Sequence, residues 1–277
     1  MIKMSIVGGL GNQLFQYATA YSISKKLNYK LVIDVSSYEK YDIHPLRLDN
    51  LSCEAEFFYK KNIFEKIIYS PRLNKINPFI YTENCLSYNK AVFNVRDNTR
   101  LYGFFQSEKY FKCYRDDLLK QFKPDSDTLR KYDKLIKSIK RDSSLSIHIR
   151  RGDYVTNSSA LKVHGLCNHD YFNSAVSYIN GIKNIKYIYI FSDDIVWCKE
   201  NISFDGEIKF MEEKNPPEID MYLMSLCENN IISNSTFSWW GAWLNKNSNK
   251  VVIAPKDWFK TSNLNSIDII PNDWIKL

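Results

Sequence analysis

The chain has 277 residues, 44% of them hydrophobic and 25% charged, with 38 Lys and Arg against 31 Asp and Glu for a net charge of +7. That is the composition of a globular protein of two ordinary domains or one large one, and its basic balance suits an anionic ligand or surface. No run of about 18 apolar residues offers a membrane span, no two of the six cysteines lie closer than 28 residues, so CxxC metal and redox motifs are excluded, and no nucleic-acid-binding motif is present.

Ile2–Val7 reads as a short buried strand, followed by the turn Gly8-Gly9-Leu10-Gly11-Asn12-Gln13. A helix is expected over 13–27, with Leu14, Phe15, Ala18 and Tyr21 on one face. Leu31-Val32-Ile33 is a second strand, ending at Asp34. This order imitates a dinucleotide-binding fingerprint, and an oxidoreductase stands as one alternative. Leu14, however, occupies the third glycine position, where bulk obstructs the helix–strand approach. Gly9 and Gly11 are better read as letting backbone and Asn12 approach some other ligand. Residues 36–100 are the least legible, with a helix expected over 54–69 and ended by Pro71. Leu101–Gln106 reads as a strand, and Ser107 as the cap of a helix over 108–122. A basic amphipathic helix over 125–141 is solvated or lies against anionic membrane. The domain boundary is placed at 141–144, giving domains 1–142 and 143–277.

Beyond it the pattern is regular. In the strand at 145–150, Leu145, Ile147 and Ile149 point one way, and Ser146, His148 and Arg150 the other. A strand buried on both faces should be apolar throughout. An imidazole and a guanidinium at its C-terminal end instead suggest an anion site. Arg151 points away from that face, and the plainer role of Asp153 is to pair with an arginine. Further strands are expected at 187–191, 208–210, 230–232 and 251–254, alternating with helices at 169–180, 195–201, 216–228 and 237–244. Five strands and interleaved helices imply a parallel, doubly wound sheet. Its C-terminal edge would collect His148 and Arg150, Asp193 and Asp194, and Asn234, Ser235 and Thr236. A hydroxyl pair opening a helix suits phosphate, and an arginine forks onto its oxygens. The adjacent Asp193-Asp194 pair is also an ordinary turn or cap. It lacks the Asp-x-Asp spacing typical of metal-dependent sugar transferases, so no metal is expected. Trp239 and Trp243 share a helix face, where core packing outweighs sugar stacking.

Four stretches carry a family resemblance: Gly8–Tyr17, His148–Tyr154, Phe191–Asp194 and Asn234–Gly241. Their wording and order resemble the motifs of the α-1,2-fucosyltransferases, glycosyltransferase family 11. The resemblance implies an α/β, GT-B-like fold of two facing Rossmann-like domains, the first on the acceptor side and the second binding a GDP-sugar. It implies inverting transfer of L-fucose from GDP-β-L-fucose to the 2-hydroxyl of a galactose-type acceptor, with GDP-fucose as donor and no cofactor. Arg150 then resembles the arginine that grips the diphosphate, with His148 its partner and Arg151 beside it. Asn12 resembles an asparagine reaching the reaction centre, Asp194 or Asp193 a guanine- or ribose-binding aspartate, and Ser235, Thr236 and Phe237 the phosphate-binding turn. Asp153, Glu218 and Asp220 are candidates for a general base, helix capping being the plainer role for the last two. The opening residues are too few for a signal peptide, so the resemblance implies a cytoplasmic bacterial enzyme. Its acceptor would be a glycan, with a lipid-linked precursor and peripheral membrane contact as options. A non-catalytic nucleotide-sugar- or glycan-binding protein is the remaining alternative.

Overall fold

The computed structural model describes residues 1–41, 43–61, 63–141, 143–152, 155, 157–211, 215–261, 264 and 266–277. They fall into two compact units, Met1–Lys123 with Ile267–Pro271, and Pro124–Ser266 with Asn272–Leu277. No helix among the described residues is long and apolar enough to cross a membrane.

The first unit is built on five strands: β1 (Ile2–Ser5), β2 (Leu31–Asp34), β3 (Glu56–Phe58), β4 (Ile80–Thr82) and β5 (Thr99–Tyr102). They pair in the order β3-β2-β1-β5-β4, every pair parallel. Helix α1 (Leu10–Leu27) begins three residues earlier than expected, so Gly11 and Asn12 lie in its first turn. It ends at Asn28 in the left-handed conformation (φ 55°), with Lys25 and Lys26 in the last turn, where cations suit the helix dipole.

The helix expected over 54–69 is instead β3 followed by the short helix α2 (Ile63–Ile68). Phe57 and Phe58 pair with Ile33 and Asp34, and this ladder overrides local helix preference. The helix expected over 108–122 is two 3-10 turns and then α3 (Arg115–Gln121). Tyr110 and Phe111 are both buried, which successive residues on a one-sided surface helix cannot achieve.

In the second unit, α4 (Ser126–Arg130) and α5 (Asp133–Arg141) replace one continuous helix. Both belong to this unit, so the division falls at 123/124 rather than at 142/143. Burial of Ile139, and the contact of Ser138 Oγ with Tyr189 Oη at 3.3 Å, hold α5 to the second sheet. That sheet has the order β11-β10-β9-β6-β7-β8. Its strands are β6 (Ser144–Ile149), β7 (Tyr187–Ser192), β8 (Glu207–Phe210), β9 (Asn229–Ile231), β10 (Val252–Ala254) and β11 (Ile275–Lys276). All pairs are parallel, and β11 adds a sixth strand to the five expected. The helices after it are α6 (Ser158–His164), α7 (His169–Ile182), α8 (Ile195–Asn201), α9 (Pro217–Leu226) and α10 (Thr236–Trp243).

Leu145, Ile147 and Ile149 of β6 join a core with Phe172, Ala175, Val176 and Ile179 of α7. The opposite face of β6 is polar and satisfied low in the strand. Asn230 Nδ2 donates to Ser146 Oγ at 2.6 Å, and Asn245 Nδ2 to Asn230 Oδ1 at 2.8 Å. Trp239, Trp240 and Trp243 are buried, the first and third stacked at 5.9 Å, so this helix packs the core as expected.

Candidate functional site

β6 lies between β7 and β9 in the sheet. The chain runs outward from β6 to β7 and β8, then returns to β9 on the other side. In a doubly wound sheet, that reversal is where ligands bind, beyond the strand C-termini. The loops after β6, β7 and β9 carry Arg150 and Arg151, Asp193 and Asp194, and Ser233 to Ser235.

These loops are tied into one assembly. Ser192 Oγ donates to the Ile149 carbonyl (2.7 Å), and the Arg150 amide donates to Ser233 Oγ (3.0 Å). Asp193 serves both arginines: Oδ2 pairs with Arg150 Nη1 at 2.6 Å, and Oδ1 accepts from the Arg151 amide at 2.8 Å. Asp194 caps α8, accepting from the Trp197 amide at 3.2 Å, while its other oxygen receives Arg151 Nε at 3.1 Å. The Arg151 guanidinium lies 3.6 Å from the centre of the Trp197 ring. Arg151 is therefore turned onto α8, as its place in the alternation implied. The Arg150 side chain keeps 22% exposure. Two cations and two carboxylates form a fixed lattice in which the guanidiniums are oriented before any ligand arrives.

His148 is 3% exposed, and its ring sits 5.4 Å from that of Phe237. Burial first, and then the Arg150 charge, push its pKa down to about 3, so the ring is neutral at physiological pH. Its Nδ1 is buried without a hydrogen-bond partner among the described residues. Ser235 occupies the cap position of α10, but its hydroxyl makes no capping bond. The amides of that first turn lack partners within the helix, as at any helix start, leaving donors for an anion. Asn234 has a different place: Nδ2 donates to the carbonyls of His164 (2.7 Å) and Trp258 (3.3 Å), fixing the turn from behind. Asp153 lies outside the described residues. Glu218 and Asp220 lie in the first turn of α9, whose cap position is Pro216. Asp220 accepts from Asn215 Nδ2 at 2.9 Å, and burial pushes its carboxyl up to about 7. Among the described residues no group of three or more His, Cys, Asp or Glu side chains is placed to hold a metal ion.

In the first unit, the glycine turn is held by side chains of the helix it precedes. Gln13 Nε2 donates to the carbonyls of Gly8 and Pro45, both at 2.9 Å, and Gln16 Oε1 accepts from the Val7 amide at 3.0 Å. Asn12 Oδ1 accepts from Gln106 Nε2 at 2.9 Å. The position that requires glycine is Gly8, with φ +86° and space for a Cβ only 2.8 Å from Asn12 Nδ2. Gly9 caps α1 against His44, and Gly11 is buried in the first turn. Asp34 is spent internally, on Ser36 through Oδ1 and on Lys61 through Oδ2 at 2.8 Å. The acid of the dinucleotide fingerprint is thus buried and paired.

Sequence reasoning missed Ser233, Gly152 and Trp197. A Cβ on Gly152 would stand 2.4 Å from Asp193 Oδ2, so only glycine lets that carboxylate lie close. Gly152 was visible as a small residue within the His148–Tyr154 stretch, and Ser233 directly precedes the Asn234–Gly241 stretch; Trp197 had no local signal.

The profile of glycosyl transferase family 11 matches residues 2–277. The chain belongs to that family. This glycosyltransferase is 38% identical over 279 residues to an alpha-1,2-colitosyltransferase of Escherichia coli, covering 95% of this chain and 94% of the relative. It is 32% identical over 294 residues to the O-antigen biosynthesis glycosyltransferase WbnK of Escherichia coli, covering 92% and 94%. Among solved structures, fucosyltransferase NodZ from Bradyrhizobium superposes with a TM-score of 0.53 at 15% identity, over 87% of this chain and 91% of NodZ. A mutant of Arabidopsis thaliana FUT1 in complex with GDP gives 0.54 at 13% identity, over 98% and 74%. The glycosyltransferase thus shares the GT-B-like, two-sheet α/β architecture of these enzymes.

Proposed function

We propose that this glycosyltransferase moves L-fucose from GDP-β-L-fucose to the 2-hydroxyl of a galactose-type acceptor, with inversion and without metal. The observation that carries the reading is the Arg150–Asp193–Arg151–Asp194 lattice at the sheet reversal, next to the start of α10. Arg150, the Ser235 hydroxyl and the amides at Thr236 and Phe237 would hold the diphosphate. As the C1–O bond to GDP breaks, charge grows on the leaving phosphate, and donors already in place stabilise it. The acceptor oxygen forms the new bond to C1 from the opposite face while its proton passes to a base. Asp153 is the candidate base. Asp193 and Asp194 orient the arginines, and Asp194 keeps lone pairs for the nucleoside. Asn12 is assigned to the reaction centre, and Gly9 and Gly11 to substrate binding.

Incubation with GDP-fucose and a panel of β-galactosides in EDTA, with linkage determined by NMR, tests this reading. The expected product is α-1,2-fucosylated. Arg150→Ala should fold and lose nearly all turnover; normal turnover by that variant removes the assignment.

A second donor is favoured by one observation, the 38% identity to a colitosyltransferase. Colitose is L-fucose without its 3-hydroxyl, so both sugars can use the same diphosphate grip. Comparing kcat/KM for the two GDP-sugars decides between them.

A further inference from the structure

One crossover in the first unit is built inside out. Residues 59–79 run from β3 at one edge of the sheet to β4 at the other. As they cross the sheet, Lys61 and Glu65 turn inward. Lys61 Nζ pairs with Asp34 Oδ2 at 2.8 Å, Lys3 Nζ reaches Glu65 Oε1 at 3.3 Å, and Arg100 Nη2 pairs with the same Glu65 oxygen. Apolar side chains turn outward. Phe64, Ile67 and Ile68 stand at i, i+3 and i+4 of α2 and are 75%, 63% and 49% exposed. Asn77 Nδ2 donates to the Ile68 carbonyl at 2.9 Å and folds the next loop against the helix end, where Ile76 is 78% exposed. Tyr59 and Phe79 are exposed at the two ends of the segment. A surface helix ordinarily does the reverse, and exposed apolar groups gathered this way mark an interaction surface.

Charge selects the occupant. The segment holds Lys60, Lys61, Lys66, Arg72 and Lys75 against Glu65 alone, a net charge of 5 − 1 = +4. Glu65 and Lys61 are consumed by the inner pairs, so the outer surface combines apolar side chains with exposed Lys60, Arg72 and Lys75. Aromatic and aliphatic groups enter the headgroup–acyl boundary of a bilayer, and Lys and Arg meet anionic headgroups. The core of a protein–protein interface is instead depleted in lysine. The basic helix region 125–141 offers no such surface. Ile139 is buried there, none of its described residues is an exposed large hydrophobic, and Arg130 and Lys137 pair with Asp127 and Asp133.

We infer that the 59–79 crossover is a docking surface for an anionic phospholipid membrane. Co-sedimentation of the full chain with vesicles of phosphatidylcholine and phosphatidylglycerol tests it, against phosphatidylcholine alone. The wild type should pellet with the anionic vesicles only. Phe64→Gln with Ile67→Gln should abolish pelleting, and Arg72→Glu or Lys75→Glu should each weaken it about fivefold or more. Circular dichroism confirms folding of each variant; if the apolar pair fails to fold, the two charge reversals carry the test. Equal pelleting by wild type and variants overturns the inference, as does no pelleting by the wild type. So does a wild-type dimer that ignores vesicles and becomes monomeric in the apolar variant, which would make the surface a contact between copies. Vesicle binding is read without donor or acceptor, so its outcome is independent of the proposed transfer reaction.

Discussion

Gly152→Ala separates the fold from the site. The new Cβ would meet Asp193 Oδ2 at 2.4 Å and Cγ at 3.0 Å. Reaching ordinary contact takes about 1 Å of movement. Asp193 can supply it, because the clash is with the tip of a side chain that is 25% exposed. The steric part of the cost to folding should therefore stay below about 1 kcal/mol. The cost to the lattice is larger. Moving Asp193 by about 1 Å stretches its 2.6 Å pair with Arg150 and its 2.8 Å bond from the Arg151 amide beyond hydrogen-bond range. A charge-assisted bond is worth roughly 1.5–3 kcal/mol, and partial exposure favours the lower end. If Arg150 grips the donor, kcat/KM for GDP-fucose should fall about ten- to a hundredfold, with GDP affinity falling alongside it. Steady-state kinetics, calorimetric titration with GDP and a thermal melt measure the three quantities. Wild-type turnover and GDP affinity in a folded Gly152→Ala protein would refute the claim that Asp193 positions the arginines for a diphosphate.

Gln13→Leu should take the Gln13 partner from the Pro45 carbonyl and the Arg47 amide and leave the Gly8 carbonyl with the Tyr38 hydroxyl alone; a urea titration is expected to show a loss of roughly 1–3 kcal/mol, and no change in midpoint would count against the latch. His148, held near 3, stays neutral where the unfolded chain takes up a proton. Stability should therefore fall as pH drops from about 6.5 toward 3, by up to about 1.4 kcal/mol per pH unit. Melts across that range should lose this component in His148→Gln; an unchanged slope argues against it. Asp220 works in the opposite sense, keeping its proton up to about 7 while the unfolded chain releases it near 4. It should lower stability as pH rises between those values, so Asp220→Asn should raise the melting temperature at pH 8 and leave it unchanged at pH 4.

The second unit was legible because a parallel sheet repeats one rule. β6 to β10 are short strands with apolar residues in each, separated by helices, and their order alone places Arg150, Asp193 and Ser235 on one edge. The first unit was not, because its sheet is completed by three-residue strands such as Glu56–Phe58, too short to show a period. Within the site, residue type revealed the arginines and aspartates but not their pairing. That Asp193 serves both arginines, and that Asn234 braces a turn, depend on contacts across 42 and 70 positions of chain. The same holds for Gln13 and Gln16, which looked like ordinary polar positions on a helix and are buried ties of the glycine turn.

The C-terminal tail carries a consequence for dissecting the protein. After Ser266 the chain returns to the first unit for Ile267–Pro271, then goes back to the second to form β11. In the first unit Asp268 accepts from the Tyr88 amide at 2.7 Å and pairs with Lys109, and Ile269 and Ile270 are buried. No single cut therefore yields either half intact. Residues 124–277 expressed alone would display two isoleucines meant for the missing half. Residues 1–123 alone would lack the segment that fills their own core. The halves are one covalent weave, and a stable recombinant fragment of either needs the five-residue return grafted to it or removed from it.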